Sequence, residues 1–560
     1  MTSRRDFIGS TALAAVGLTL PTSSPLPDAA PRGFVDLLRN PDSVLVQTAT
    51  GEVSLAREGN GRWTSGTGIV VTTAQRAASL NIALGAPAVA VRRIRLRWRA
   101  RMNDVQLILG DAWERGYGDL EWRAWAPDRV MPWYAATHDG LLTHCYGVKT
   151  GARAFCYWHV DPQGISLWTD VRSGGAGVQL GDRVLDVADV VSRAGRSGES
   201  AFAALHGFCK QMCATPRLPS QPVYGSNDWY WAYGKNSVES VLADARNIVE
   251  LSPSGSNRPF AVIDDGWQPE RSRDKQGVGM WDRGNEKFPD MAGLAADIRK
   301  IGARPGIWIR PLLAMKDTPE NWRLPRDKAY LDPTVPEVRK KVGDDITRLR
   351  QWGYELIKHD YTTYDLLGRW GFQMGAELTR GNWTFASGPS RTTAEIISEL
   401  YATIRTGAGS SLVIGCNTVS HLSAGHFEIC RIGDDTSGTE WARTRKMGVN
   451  TLAFRGVQHG AFYVADADCV GVTNAIPWAE NKQWLDLLAR SGTMLFVSLA
   501  PDALGAEQRR DLKDALALAA QPHPVGEPLD WQRSVYPARW RLMGREKTFD
   551  WVGADGVGAP

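Results

Sequence analysis

Carboxylates recur in this sequence just after short apolar runs. Phe260-Ala261-Val262-Ile263 is followed by Asp264-Asp265-Gly266-Trp267-Gln268, and Leu356-Ile357 by Lys358-His359-Asp360-Tyr361. The run Phe427–Ile432 contains Arg431 and is followed by Gly433-Asp434-Asp435-Thr436, and Phe462-Tyr463-Val464 leads to Asp466-Ala467-Asp468. A lone Asp in such a place is as readily a loop cap or a surface ion pair. Repetition at successive strand ends, with Lys358 and Arg431 interleaved, points to a shared mouth. No His/Cys cluster with metal-ligand spacing accompanies these residues. Two chemistries fit: glycosyl transfer through a pair of carboxylates, and magnesium-assisted chemistry on hard oxygen ligands.

Strand periodicity sorts the candidates. Lys358 and Asp360 are two apart, so both face one side of a strand while His359 faces the other. A neighbouring cation keeps a carboxylate ionised, as a nucleophile requires. Arg431 and Asp435 are four apart and share a face. Asp434 takes the opposite one, unless a bend at Gly433 exchanges the two. In a retaining glycosidase the two carboxyl groups stand about 5–5.5 Å apart. At an effective dielectric of about 20 two charges there repel by roughly 3 kcal/mol, about two pKa units, so one is expected to hold a proton.

The elements that must position these residues read as a (β/α)₈ barrel. Strands are predicted at Gly225–Trp231, Phe260–Ile263, Gly306–Ile309, Leu356–Lys358, Leu412–Ile414, Phe427–Ile432, Phe462–Val464 and Met494–Val497. Helices or long loops lie between them. Ser237–Leu251 carries a one-sided apolar stripe, and Pro333–Trp352 has prolines suited to a first turn with Gly353 at its end. No Gly-rich nucleotide turn follows the first strand, which argues against a doubly wound sheet. Residues 33–216 instead show short alternating runs, such as Val44–Thr48 and Ile94–Arg99, as in an N-terminal β-sandwich. The barrel domain is placed at 217–522, after the Pro-marked stretch Pro216–Pro222, and a short extension at 523–560.

Residues 1–32 read as an export signal and linker. Ser3-Arg4-Arg5-Asp6-Phe7-Ile8 is a twin-arginine pattern, and the apolar stretch after it is short for a membrane span. The expectation is export to the periplasm or beyond, with no stable membrane anchoring. The chain has 560 residues and a formal charge of +4 without a dense basic block, so nucleic acid is not expected as a partner. Its 23 Trp stand out, since flat apolar faces suit the C–H patches of sugar rings. Trp229 and Trp308, at the first and third strands, are candidates for such faces. The seven cysteines form no dense framework, and one disulfide would be compatible with export.

The four motifs, in this order and at these strand ends, resemble those of the α-galactosidase (melibiase) clan of glycoside hydrolases, in its raffinose-synthase/α-galactosidase-like branch. The resemblance covers about residues 222–500. It implies Asp360 as nucleophile and Asp435 as acid/base, with Asp434 as second choice, and Arg431 holding the sugar. It further implies that Asp264 and Asp265 grip O4 and O6 of a galactose-like ring, that Trp267 and Lys358 line the pocket, and that Cys416-Asn417 reads the 2-substituent. Asp466 and Asp468 complete the mouth. The implied activity is retaining hydrolysis of terminal α-galactosides, with an oligosaccharide or glycoside as substrate and neither metal nor cofactor. Departures from the pattern are the absence of Asn and Pro in Asp466-Ala467-Asp468, and Arg310 where an acidic residue is common. Almost no C-terminal β-domain remains. The sugar is accordingly α-galactose, α-N-acetylgalactosamine or β-L-arabinopyranose. Arg310, His359 and Tyr364 either build a subsite or only pack. Galactosyl transfer to another sugar, and a non-catalytic sugar-binding protein, are the alternative functions.

Overall fold

The computed structural model describes residues 33–269 and 281–552, so the twin-arginine segment lies outside the described residues. Its centre is a parallel sheet of nine strand segments: Tyr224–Asn227, Phe260–Ile263, Arg304–Ile309, Leu356–His359, Leu412–Gly415, Ile429–Arg431, Val464–Asp466, Cys469–Val472 and Leu495–Leu499. Neighbours in sequence are neighbours in the sheet, and Tyr224–Asn227 pairs with Leu495–Leu499. The two ends of the strand order, Val464–Asp466 and Cys469–Val472, are consecutive in the chain and separated only by Ala467 and Asp468. The sheet therefore curls back on itself around eight strand positions, the seventh split in two.

The alternation along these strands explains how it packs. Val262, Leu356, Ile414, Ile429 and Phe496 join one apolar cluster, while Ala261, Ile263, Ile357 and Val413 join another that extends under the helices. Successive residues of a strand face opposite sides, so the first cluster fills the inside of the curl. Lys358 has the parity of Leu356, which carries it inward above that filling.

Helices cover the outside, and their starts are written locally. Ser237 and Thr392 form capping boxes with Ser240 and Glu395, Asp290 caps Met291–Ile301, and Pro336 opens Pro336–Gln351. Residues Trp229 to Trp231, read from the sequence as the end of the first strand, belong instead to the helical turn Trp229–Ala232. Asn227 Oδ1 accepts the Trp229 N–H at 3.0 Å and ends the strand there. The strand expected at Phe462–Val464 starts at Val464, because residues 456–463 close a tight turn first.

Before this unit come two antiparallel sheets of six and eight strands. Their apolar residues belong to the same continuous core. In Val91–Arg99 the buried Ile94, Leu96 and Trp98 alternate with partly open Arg95 and Arg97. Three short strands, Glu527–Pro528, Arg539–Leu542 and Arg545–Thr548, form a small terminal sheet. All seven cysteines are unpaired and buried, so the disulfide admitted by the sequence is not formed. Among the described residues no helix is long and apolar enough to cross a membrane.

Candidate active site

Asp264 ends the second strand and forms the hub of one side of the mouth. Its Oδ2 accepts from Lys358 Nζ and from Asn227 Nδ2, both at 2.7 Å, and its Oδ1 accepts the Asp265 N–H at 2.9 Å. Its own N–H donates to Asp228 Oδ1 at 2.8 Å. Asp228 therefore sits directly behind Asp264. Burial, and then the negative charge of Asp264, push the Asp228 carboxyl up to about 7. Asp265 is more open, and its Oδ1 accepts from Gln268 Nε2 at 2.6 Å.

Asp360 follows the fourth strand and is half-buried. Trp308 Nε1 donates to its Oδ2 at 3.2 Å and the Tyr361 N–H to its Oδ1 at 2.7 Å. These donors fix the carboxylate in one orientation. Tyr361 takes a left-handed φ of 64°, uncommon for a bulky residue, and this turn aims its N–H back at the preceding carboxylate. Lys358 does not pair with Asp360, as the sequence suggested; it reaches across to Asp264, the nearer carboxylate on the inward side. His359 faces away as expected, buried between Tyr401 and Phe427, and burial lowers it to about 3.

The opposite side is built on the sixth strand. Arg431 Nη2 lies 2.9 Å from Asp435 Oδ1 and 2.5 Å from Asp468 Oδ2. Asp468 is saturated, also accepting the Thr436 N–H at 2.7 Å and the Tyr230 hydroxyl. Asp466 accepts the Asp468 N–H at 2.8 Å. The Asp435 side chain keeps 42% of its surface open, whereas Asp434 keeps 16% and is held by Arg115 at 2.8 Å and Arg443 at 3.0 Å. Burial alone would raise the Asp435 carboxyl, but Arg431, Arg115, Lys358 and Arg443 more than offset it, and its pKa lies below the ordinary carboxylate value. The repulsion argument drawn from the sequence counted the facing carboxylate and not these cations.

Arg115 and its neighbours come from the N-terminal region, and nothing in the sequence singled them out. The Gly116 N–H donates to the Ile432 carbonyl at 2.8 Å and the Asp434 N–H to the Gly116 carbonyl at 2.9 Å, so Gly116 forms a single parallel bridge with Gly433. A side chain at either glycine would collide: a Cβ at Gly433 would lie 2.6 Å from the Met447 carbonyl, and one at Gly116 2.8 Å from the Thr451 methyl. Gly433 is thus a close-approach point, and the pairing fixes which way Asp434 and Asp435 face. Next to it Glu114, fully buried, accepts from the Gly371 N–H at 2.7 Å and binds the Tyr117 hydroxyl and the Asn417 amide. Asn227 and Asp228 are also additions. They end the first strand, and the rule that selected the other Asp residues would have found them had that strand been stopped at Asn227.

Three predicted site residues take other places. Trp267 has no exposed surface; its ring packs on Trp281 and Trp352 and its N–H donates to the Trp308 carbonyl at 2.9 Å. It supports the wall from behind instead of lining it, because Gly266 (φ 126°) turns the chain outward after Asp265. Asn417 is fully buried, with Oδ1 accepting the Tyr364 N–H at 2.9 Å and its amide on Glu114. Both ends are committed to tying loops together, which leaves none for a ligand. Trp308 presents its N–H to Asp360 and is only 4% exposed, so it offers an edge and not a flat sugar platform. Cys416, buried, lies 3.5 Å from Arg431 Nη1. Trp229 is partly buried against the cluster inside the curl. Arg310 forms a two-pronged pair with the buried Asp365 and stacks 4.0 Å over the Tyr361 ring; it packs, and Tyr364 stacks on Trp370.

No family model matches the chain. A stretch of 86 residues is 31% identical to the α-galactosidase AgaA of Geobacillus stearothermophilus, spanning 15% of this chain and 11% of that protein. At the level of structure the likeness extends across nearly the whole molecule. The α-galactosidase TtGalA of Thermus thermophilus, solved with p-nitrophenyl α-D-galactopyranoside, superposes with a TM-score of 0.59 at 17% identity over 90% of this chain and 98% of that one. The chain has the fold of the family 36 α-galactosidases. The family 36 α-galactosidase AgaA of G. stearothermophilus gives a TM-score of 0.58 at 14% identity, over 89% of this chain and 79% of that one.

Proposed function

We propose that this protein is a retaining α-glycosidase acting on terminal α-galactosides, with Asp360 as nucleophile and Asp435 as acid/base. On this reading the curled parallel sheet is the (β/α)₈ barrel and the two antiparallel sheets are the N-terminal β-sandwich. Residues 1–32 direct export to the periplasm or beyond. The observation that carries the reading is the contrast between the two sides of one mouth. Asp360 is held by two neutral N–H donors, which stabilise a carboxylate without an ion pair competing for it. Asp435 stands open among cations, with Arg431 on its Oδ1. Asp434, its neighbour, is spoken for by two arginines.

The chemistry follows from these roles. Asp360 attacks the anomeric carbon while Asp435 gives its proton to the departing glycosidic oxygen, forming a galactosyl ester on Asp360. A water then enters, Asp435 takes one of its protons, and the water oxygen attacks the anomeric carbon from the face opposite Asp360, breaking the bond from that carbon to the Asp360 oxygen and releasing the sugar and the Asp360 carboxylate. The ionised form that the surrounding cations favour suits the second half. In the first half a bound sugar strips water from the open side of Asp435, which favours the neutral acid. Asp264, oriented by Lys358 and Asn227, is placed to accept from the hydroxyls of a galacto-configured ring, with Asp265 beside it. The solved neighbours include complexes with stachyose and with raffinose, and oligosaccharides of that kind are the substrates proposed here.

A panel of nitrophenyl α-glycosides tests the reading. The wild type is expected to prefer a galacto-configured member and Asp360→Ala to be inactive. Asp435→Ala is expected to retain turnover only of substrates with activated leaving groups, with azide restoring product formation. Preference for gluco-configured donors would refute the assignment of Asp264 and Asp265.

A further inference from the structure

The pair Asp434-Asp435 presents two adjacent carboxylates to one mouth, and the reading above uses only one. The other is engaged with charge from two directions. Arg115 Nη2 lies 2.8 Å from Asp434 Oδ1, while its Nη1 lies 3.9 Å from Asp435 Oδ1. Arg443, from the helix after the sixth strand, lies 3.0 Å from Asp434 Oδ2. Arg115 is thus shared unequally, close to one carboxylate and a little over 1 Å further from the next. Its backbone is held beside both carboxylates by the pairing of Gly116 with Gly433, and its guanidinium lies over the rings of Trp370 (5.4 Å) and Tyr117 (5.7 Å).

We propose that Asp434 is a positioning residue that acts as counter-anion to Arg115 and Arg443, keeping both from pairing with Asp435. The inference rests on Asp435 as the acid/base. A general acid must be able to hold a proton, and each unneutralised cation beside it works against that. The groups facing Asp435 are Arg431 on its own strand, Lys358 on the fourth, Arg115 from the N-terminal segment, Arg443 from the following helix, and the phenols of Tyr230 and Tyr361. Arg431 is already balanced by Asp468 and Lys358 by Asp264. Asp434 completes the set by pairing with both Arg115 and Arg443, so every cation near Asp435 contacts another anion.

The signs are opposite for the two partners. Asp434→Asn frees Arg115 to close on Asp435 and removes a like charge, so Asp435 loses its proton at lower pH. Closing from 3.9 Å to the 2.8 Å now seen on Asp434 at an effective dielectric of about 20 shifts the alkaline limb of kcat/KM down by about one pH unit. Arg115→Gln removes the cation and leaves Asp434 facing Asp435, so the limb moves up. The double variant Asp434→Asn/Arg115→Gln returns close to the wild-type limb. Profiles are measured with p-nitrophenyl α-galactoside. In parallel the Asp435 carboxylate band, assigned by infrared difference against Asp435→Asn in each background, is titrated without substrate. Opposed shifts that cancel in the double variant support the proposal. Equal shifts, or lower activity with no shift, overturn it. So does loss of turnover in Asp434→Asn that returns only with activated leaving groups, since Asp434 would then be the proton donor. If the wild type hydrolyses no α-galactoside, the functional reading fails, and the infrared titration still decides the charge balance.

Discussion

Arg455→Leu is the substitution that best probes how the two regions form one site. Arg455 is fully buried and joins four segments. It donates to Asp111 Oδ1 at 2.8 Å and Oδ2 at 3.3 Å, to the Glu114 carbonyl at 2.6 Å, to the Ile432 carbonyl at 3.1 Å and to Ser420 Oγ at 2.6 Å. Attraction across 2.8 Å at an effective dielectric of about 20 is about 6 kcal/mol, most of it offset by desolvation of both ions. Removing one partner leaves that desolvation uncompensated on Asp111, which costs about 3–5 kcal/mol. Gln458 Nε2, at 2.9 Å from Asp111, and the Ala112 N–H are neutral donors that stay. Burial raises the Asp111 carboxyl even with Arg455 present, so in the variant Asp111 protonates at acid pH and the loss shrinks there. Urea denaturation should therefore show a loss of about 4 kcal/mol at pH 8, smaller at pH 5. Activity should fall too, because the Glu114 carbonyl beside Arg115 loses the Arg455 donor and the Ile432 carbonyl keeps only the Gly116 N–H. The double variant Asp111→Leu/Arg455→Leu should regain stability and not activity, since no charge is stranded but both carbonyls still lack the Arg455 guanidinium. A loss below about 1 kcal/mol with unchanged kcat/KM would refute this account of the junction.

Further outcomes can be stated for the mouth itself. Asp264→Asn strands the buried Lys358 ammonium now 2.7 Å away; a stability loss of about 3 kcal/mol and at least a hundredfold fall in α-galactoside kcat/KM are expected, against no change for the exposed Asp344→Asn. Asp228, raised to about 7 from an ordinary 3.8, keeps a proton in the folded state that the unfolded chain has lost, so its contribution falls as pH rises between those values. Relative to Asp228→Asn, wild-type stability should decline by up to about 4 kcal/mol across that window, and a pH-independent difference between the two proteins would exclude it. Trp370, stacked on Tyr364 at 4.5 Å and lying under Arg115 at 5.4 Å, should on replacement by Ala cost about 1 kcal/mol of Arg115 positioning, read as a roughly five-fold loss in kcat/KM with little change in melting temperature.

Much of the arrangement at the strand ends was legible in the sequence for local reasons. Strand parity placed Lys358 inward and His359 outward, and it put Arg431 and Asp435 on one face. Both follow from the period of two that any strand imposes. What parity does not carry is which of several nearby anions a long side chain will choose. Lys358 and Asp360 were adjacent by pattern, but a flexible four-carbon stem reached Asp264 on another strand instead. Trp267 failed for a similar reason. Its place after two carboxylates suggested a pocket wall, while one residue in left-handed conformation, Gly266, sends the chain behind that wall.

The N-terminal contribution was not legible, and the cause is range. Glu114, Arg115 and Gly116 stand in a stretch without apolar period, and their partners Asn417, Asp434 and Gly433 lie some three hundred residues later. The fact that makes the contact possible is negative: two glycines, one in each segment, leave room for backbone to meet backbone. In sequence each reads as loop punctuation. Only together do they mark a seam, and at that seam the N-terminal region supplies the cation that Asp434 must balance. The N-terminal region therefore borders the mouth as much as the strand ends do. Removing residues 33–216 would leave Asp435 without the pairing at Gly433 that orients it, beyond any loss of stability.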